Sequence, residues 1–133
     1  MNSRERVLNR FAGKPVDRLP LMPITMQFAC RMIGKKYKDY ITDHNVLVEG
    51  QLCVAEQFGF DHVSCISDPT REASDLGGAV IMEEDSAPGM DYANALLADK
   101  SIFLNLQIPD PFADGILPDS SDIIHIHAGA LKR

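Results

Sequence analysis

The chain has 133 residues, of which 45% are hydrophobic and 24% are charged, as in a single ordinary globular domain. The formal net charge of −6 argues against nucleic-acid binding, and no apolar run approaches the roughly 18 residues of a membrane span. Three cysteines without a Cys-x-x-Cys spacing, and the absence of an apolar leader segment, predict a reducing and therefore cytoplasmic location.

The charge is distributed unevenly along the chain. Residues 1–40 contain nine Lys/Arg and three Asp/Glu, whereas residues 41–133 contain four Lys/Arg and sixteen Asp/Glu. The basic third could meet an anionic ligand, or the two parts could pair with each other within the fold. The sequence leaves both interpretations open.

The first elements are a short helix and an irregular strand. Arg4 to Ala12 has its apolar residues on one face and Ser3 as a plausible N-cap. Leu19 to Ile24 predicts a first strand, which its two prolines make short or irregular. Met26 to Gly34 could hold a helical turn, and Lys35 to Asp39 is a basic stretch that we expect in solvent.

The clearest element is a helix that Asp43 caps and Gly59 ends. It leads into a second predicted strand, His62 to Ile66, after which Asp68 follows at once. The order of strand, helix and strand predicts a right-handed βα unit with parallel strands. Both strand ends would then share one face, the face on which barrels of this kind place their chemistry.

Beyond this unit the predicted elements are shorter. Thr70 to Leu76 predicts a helical turn, and Ala79 to Met82 a short strand. An acidic loop with the run Glu83-Glu84-Asp85 follows, which we expect to be solvated. Asp91 to Ala98 predicts another helix, and Asn105 to Pro111 an extended segment.

Several short motifs occur in an order and spacing that together are fairly specific. They are Arg4-Glu5-Arg6-Val7-Leu8, Gly13-Lys14-Pro15-Val16-Asp17-Arg18-Leu19-Pro20, Gly59-Phe60-Asp61, Ile66-Ser67-Asp68-Pro69, Arg71-Glu72-Ala73 with Leu76-Gly77, and Ile108-Pro109-Asp110-Pro111. With these motifs the chain resembles the N-terminal part of the uroporphyrinogen decarboxylase family, which includes cobalamin-dependent methyltransferases. The resemblance implies an α/β fold, a partial (β/α)8 TIM barrel of which this chain has the N-terminal portion only.

The resemblance also implies a site. Decarboxylases of this family have Met-Arg-Gln-Ala-Gly-Arg after the first strand, and the two arginines bind substrate carboxylates. Here Arg31 keeps the second arginine, and Gln27 replaces the first. Asp68 matches the catalytic aspartate that faces the pyrrole N–H groups and stabilises a protonated pyrrole. Read without the resemblance, Asp68 is a turn residue or N-cap, Arg31 a surface charge and Gln27 a polar rim residue.

The split arginine pair favours a corrinoid-dependent, methyltransferase-like enzyme over a true decarboxylase, a carboxy-lyase of porphyrin biosynthesis. A neutral amide cannot give the charged, bidentate grip that a guanidinium gives a carboxylate. In the methyltransferases zinc activates the thiol through a His-x-Cys pair and a later Cys, a motif that this chain lacks. We therefore expect no metal site or cofactor in this chain, with zinc and a corrinoid possible for a full-length protein.

The expected partners are a tetrapyrrole or corrinoid small molecule or a corrinoid protein, and a homo-oligomer is possible. Residues 1–115 are expected to form the barrel part, and residues 116–133 a divergent tail of a truncated or frameshifted product, since a full barrel takes about 250 residues. The chain could then be a non-catalytic piece that needs a partner. In the tail, His125 and His127 could be half a metal site, but no third ligand is in view.

Overall fold

The computed structural model describes residues 1–66 and 68–108. Its elements are α1 (Ser3–Phe11), α2 (Met26–Met32), α3 (Tyr37–Thr42), α4 (His44–Phe58), α5 (Arg71–Asp75), β1 (Val80–Ile81), β2 (Gly89–Met90) and the 3-10 helices Tyr92–Asn94 and Lys100–Asn105. The predicted tail, the pair His125 and His127 and the end of the extended segment at Pro109 to Pro111 lie outside the described residues. In the described part, no helix has the length and apolar character needed to cross a membrane.

The core lies between α2, α3 and α4, which pack against one another. Its buried apolar residues are Ala29, Cys30, Tyr37, Tyr40, Ile41, Leu47, Val48 and Val54. The two helices α2 and α4 approach closely because α4 has a glycine at the contact. A Cβ atom at Gly50 would lie only 3.2 Å from the carbonyl carbon and oxygen of Ala29. A larger residue at position 50 would therefore push α2 away from α4.

The long helix α4 confirms its sequence prediction at both ends. The Asp43 side chain accepts a hydrogen bond from the backbone N–H of Asn45 at 2.8 Å, which caps the first turn. Gly59 has a φ of +65°, the left-handed conformation that ends helices and that glycine adopts without steric cost.

The prediction of two parallel strands is wrong for the described residues. Residues 19–24 and 62–66 have no strand pairing. Just before the second segment, the Asp61 N–H donates to the Leu21 carbonyl at 2.8 Å. The sheet that is present is the antiparallel pair of β1 and β2, in which Val80 faces Met90. A strand needs a neighbouring backbone to pair with, and β-branched composition alone does not supply one. The described part is therefore mixed helix and strand, without a parallel βα unit.

Other elements differ in detail. The N-cap of α1 is Asn2, not Ser3, since its side chain accepts from the Glu5 N–H at 2.8 Å. The basic stretch Lys35 to Asp39, which was expected in solvent, includes the first residues of α3. In this helix Tyr37 and Tyr40 are buried and stack with ring centroids 5.8 Å apart. The predicted helix from residue 91 to 98 is a single 3-10 turn, and its Tyr92 is 84% exposed.

A buried ion-pair network fixes α1 and the following loop to the end of α4. The Asp61 carboxylate is completely buried and accepts hydrogen bonds from the Arg6 and Arg18 guanidinium groups and from the Leu21 N–H. Arg6, the only buried residue of α1, also holds Asp17 through two hydrogen bonds of 2.7 and 2.9 Å. The guanidinium of Arg18 donates to the Gly59 carbonyl at 3.0 Å as well.

These hydrogen bonds hold the two carboxylates in their charged form. Burial by itself would raise the pKa of Asp61, but hydrogen bonds from the Leu21 N–H, Ser3, Arg18 and Arg6 outweigh it and lower that pKa. The hydrogen bond from Arg6 likewise lowers the pKa of Asp17. A carboxyl with a lower pKa in the folded state contributes stability above its unfolded pKa, and this stability is lost as the pH falls.

We predict that Asp61→Asn lowers the free energy of unfolding at pH 7 by about 3 kcal/mol, because it removes the buried carboxylate that pairs with the Arg6 and Arg18 guanidinium groups and leaves Arg6 with Asp17 alone. Wild-type stability should fall as the pH drops from about 5 to about 3, and this fall should be shallower in the variant. Urea titrations followed by circular dichroism at several pH values measure both. Glu56→Gln, an exposed substitution on α4, is the control, and equal pH slopes for wild type and Asp61→Asn would contradict the prediction.

Candidate functional site

The helix α2 carries two of the three residues that the sequence assigns to the site. Gln27 and Arg31 are four positions apart, so their side chains lie on the same face of the helix. The Gln27 side-chain amide is half-buried and donates a short hydrogen bond to the backbone carbonyl of Asp85. Arg31 is exposed. The amide that replaces the first family arginine is therefore engaged by the protein itself, whereas the guanidinium faces solvent.

The partner of Gln27 belongs to the loop between β1 and β2, residues 82–88, which we call the hairpin loop. The loop contains the acidic run that was expected to be solvated. Its acidic side chains are exposed, but it is anchored to the start of α3. The Lys38 N–H donates to the Glu84 carbonyl at 3.0 Å, and the Lys36 ammonium lies 2.7 Å from the Asp85 carboxylate. The loop is exposed, as the sequence predicts, and it is also fixed against α2 and α3.

Asp85 is thus surrounded by groups that favour its negative charge. The pKa of its carboxyl is lowered, first by the hydrogen bond from Lys36 and to a smaller extent by the positive charge of Arg31. The same hydrogen bond raises the pKa of Lys36. The structure therefore groups Gln27, Arg31, Lys36 and Asp85, of which the sequence singled out only the first two.

Asp68 lies in a different setting. Its side chain is 5% exposed, and its Oδ1 accepts hydrogen bonds from the N–H and the hydroxyl of Thr70, each at 2.8 Å. The Arg71 Nε is 3.8 Å from its Oδ2. This is the geometry of a turn residue at the start of α5, which the sequence left open as the alternative. The catalytic role of Asp68 stays a prediction.

The turn at Asp68 faces α3. Arg71 donates a hydrogen bond of 3.1 Å to the backbone carbonyl of Ile41 in that helix. Burial, the neighbouring Tyr40 and then the charge of Asp68 raise the pKa of Tyr37 to about 12. Tyr37 therefore stays protonated at neutral pH. Asp68 approaches one side of α3, while Lys36 at the start of that helix contacts the hairpin loop.

A buried glutamine connects the segments that carry the two parts of the site. Gln51 of α4 is 2% exposed, and its Nε2 donates to the Thr25 hydroxyl at 3.0 Å and to the Tyr40 hydroxyl at 2.7 Å. Its Oε1 accepts from the Ser64 N–H at 3.1 Å. Thr25 immediately precedes α2, and Ser64 lies four residues before Asp68. Gln51 therefore sets the relative position of α2, α3 and the segment that leads to Asp68.

Sequence reasoning missed Gln51, although a signal for it was present. Gln51 lies between Leu47 and Val54 on the apolar face of α4, at a spacing of four and then three residues. A polar residue on a buried helix face must have partners, since burial without them would cost several kcal/mol. The pattern could have identified a buried polar contact, but it could not have named Thr25, Tyr40 and Ser64 as the partners.

We predict that Gln51→Leu lowers the free energy of unfolding by about 2 to 3 kcal/mol, because it leaves Ser64 N–H and two buried hydroxyls without their partner. Tyr40→Phe should cost only about 1 kcal/mol, since Gln51 then keeps two of its three partners. Thermal and urea unfolding measure both changes. The matched control is Gln57→Leu, an exposed glutamine of the same helix, and an equal loss in Gln51→Leu and Gln57→Leu would contradict the prediction.

The described residues contain no group of three or more His, Cys, Asp or Glu side chains that could hold a metal ion. The residues present in that part therefore do not fit a zinc site. Cys30, which lies beside the predicted site in the sequence, is buried in the core and its thiol donates to the Lys35 carbonyl. Burial raises the pKa of Cys30, so it is a protonated core residue and not a reactive thiolate.

A comparison with protein families gives one match. The model of the family described as uroporphyrinogen decarboxylase (URO-D) matches residues 2–133. The matched range exceeds residues 4–115, on which the motifs of the sequence rest. Comparisons with curated proteins and with solved structures give no significant match.

Proposed function

The chain belongs to the uroporphyrinogen decarboxylase family, and from this premise we propose that it supplies the ligand-binding N-terminal part of a corrinoid-dependent, methyltransferase-like enzyme. The family match supports an enzymatic, tetrapyrrole-related function. The choice of branch within the family rests on the residues of α2 and their contacts.

The observation that carries the proposal is that Gln27 is a neutral amide with a hydrogen-bond partner inside the protein. In the family's decarboxylases this position is the first of two arginines that bind substrate carboxylates. Here it is a neutral amide that donates to the Asp85 carbonyl, and Arg31 alone offers an exposed guanidinium. An octacarboxylate porphyrinogen would therefore meet one guanidinium on α2 where the decarboxylases present two, and it would lose a charge-assisted, bidentate contact. A corrinoid, whose edge carries mainly neutral amides, suits an amide at this position better.

Each residue has a defined task in this proposal. Arg31 binds an anionic group of the ligand, and Gln27 exchanges its hydrogen bond with Asp85 for one with a polar group at the ligand's edge. Asp68, which is buried in the turn before α5 in the free protein, would approach the macrocycle, where its carboxylate could offset positive charge. The corrinoid, when bound, supplies the methyl group that the reaction transfers. The residues of this chain bind and orient the macrocycle, and zinc activation of a thiol is not assigned to the described residues.

The test uses the purified chain with two ligand systems. Methylcobalamin with a thiol such as coenzyme M reports methyl transfer, and uroporphyrinogen reports decarboxylation through release of carbon dioxide. Calorimetric titrations under anaerobic conditions give the affinity for each tetrapyrrole. Tighter binding of methylcobalamin than of uroporphyrinogen supports the proposal. Release of carbon dioxide without methyl transfer would contradict it and identify a true decarboxylase.

We predict that Gln27→Arg strengthens binding of uroporphyrinogen by about tenfold, because it restores a second guanidinium for the substrate carboxylates. Binding of methylcobalamin should weaken or stay unchanged. Gln57→Arg, which adds the same charge on the exposed side of α4, is the control and should leave both affinities within about twofold. An equal gain in the two variants would show that the gain comes from net charge alone.

A second candidate function is that of a non-catalytic piece that needs a partner to complete its fold. The observation in its favour is the number of large apolar side chains that the described residues leave in solvent. Phe11 of α1 is 79% exposed and Ile24 is 67% exposed, and the residues around Ile24 have no strand neighbour. Apolar surface next to unpaired extended backbone favours association with another chain.

We predict that the purified chain associates at micromolar concentration and that Ile24→Lys shifts it towards the monomer, because a charge at this position opposes burial against another chain. Size-exclusion chromatography with light scattering measures the mass. Thr42→Lys, an exposed polar position at the end of α3, is the control. A monomeric wild-type chain that turns over either ligand would contradict this second candidate.

A further inference from the structure

The hairpin loop places an internal anion among the groups that the proposed function assigns to ligand binding. The Asp85 carbonyl accepts from Gln27, and the Asp85 carboxylate pairs with Lys36 at 2.7 Å. The charge of Arg31 also acts on this carboxylate, since it contributes to the lowered pKa of Asp85. One residue of the loop thus contacts the Gln27 amide of α2 and the Lys36 ammonium just before α3.

The packing of the core does not require Lys36 and Arg31 to lie near Asp85. Lys36 and Asp85 both have more than half of their side-chain surface in solvent, and Arg31 is exposed. An ion pair this exposed contributes little to stability, so it can be exchanged for another anion at low cost. The core consists of buried apolar side chains, of which Tyr37 directly follows Lys36, and the Asp61 network includes neither Lys36 nor Asp85.

The base of the hairpin loop is held independently of Asp85. The strands β1 and β2 pair with Ile81 opposite Gly89, and Pro88 is buried. On the other side the Lys38 N–H holds the Glu84 carbonyl at 3.0 Å. The Asp85 side chain can therefore break its ion pair with Lys36 without unfolding the loop.

We propose that the hairpin loop is an internal competitor for the ligand, and that Lys36 is a ligand-binding residue which Asp85 occupies in the free protein. An anionic group at the edge of the ligand takes the place of the Asp85 carboxylate on Lys36 and also meets the Arg31 guanidinium. This inference rests on the proposed function in placing the ligand at Gln27 and Arg31. It adds Lys36 to the site and gives the acidic loop a regulatory role.

The competition predicts opposite effects for the two partners of one ion pair. Asp85→Asn removes the competing charge and should strengthen binding of an anionic tetrapyrrole by about fivefold, the scale of one exposed charge pair. Lys36→Met removes the cation and should weaken the same binding by about fivefold. If the pair served stability alone, both substitutions would act in the same direction and would weaken binding only as far as they unfold the chain.

The experiment titrates the full chain with uroporphyrin I, an octacarboxylate probe, and follows its fluorescence at low and at moderate salt. Glu83→Gln is the control for Asp85→Asn, since it makes the same charge change in the same loop, and Lys35→Met is the control for Lys36→Met. Both controls should leave the affinity within about twofold of wild type. Circular dichroism and thermal unfolding verify that each variant keeps its fold.

A tighter complex for Asp85→Asn than for Glu83→Gln, together with a weaker one for Lys36→Met than for Lys35→Met, supports the competition. Equal effects within each matched pair would overturn it, as would weaker binding for Asp85→Asn or no binding of the probe by any variant. The choice of reaction is decided separately by methyl transfer and carbon dioxide release. The test of methyltransferase activity can therefore fail while the competition is confirmed. The activity can equally be confirmed while the competition fails, and the two results are distinguishable.

Discussion

The buried carboxylate of Asp61 is the interaction on which the arrangement of the chain depends. It joins Arg6 of α1, Arg18 of the following loop and the backbone of residue 21 to the end of α4. Because a buried charge is tolerated only when it is paired and hydrogen-bonded, the three segments, α1, the loop after it and the end of α4, must meet in one geometry. The uneven distribution of charge along the sequence is reflected in this contact, since basic residues of the first 40 positions neutralise an acidic residue of the later part.

Two further polar contacts extend this arrangement to the site. Gln51 links the residue before α2, the hydroxyl of Tyr40 and the segment that leads to Asp68. The hairpin loop then closes over α2 and the start of α3 through residues 84 and 85. In the described residues the candidate site is therefore positioned mainly by side-chain hydrogen bonds and helix packing, because the single sheet is one short hairpin.

The site residues differ in how freely they could meet a ligand. Asp68 is buried and shapes the turn before α5, whereas Arg31 and Lys36 reach solvent near the exposed charge of Asp85. Family membership supports a tetrapyrrole-related function. In the function proposed above, a tetrapyrrole meets the cationic side first, and the neutral Gln27 is the basis for choosing a corrinoid over an octacarboxylate.

The sequence by itself determined the caps and span of α4, the helical turn before Gly77, the short strand at Val80 and the family, because these depend on local chemistry and on motifs. It misplaced the strands at residues 19–24 and 62–66, since strand formation depends on a distant backbone partner. Only the tertiary structure decided that Arg6 and Asp61 form a buried ion pair and that Gln51 is buried with polar partners of its own. The same holds for the position of Asp85 among the cations of the site. Such contacts join residues up to 58 positions apart, and no local pattern encodes which of them meet.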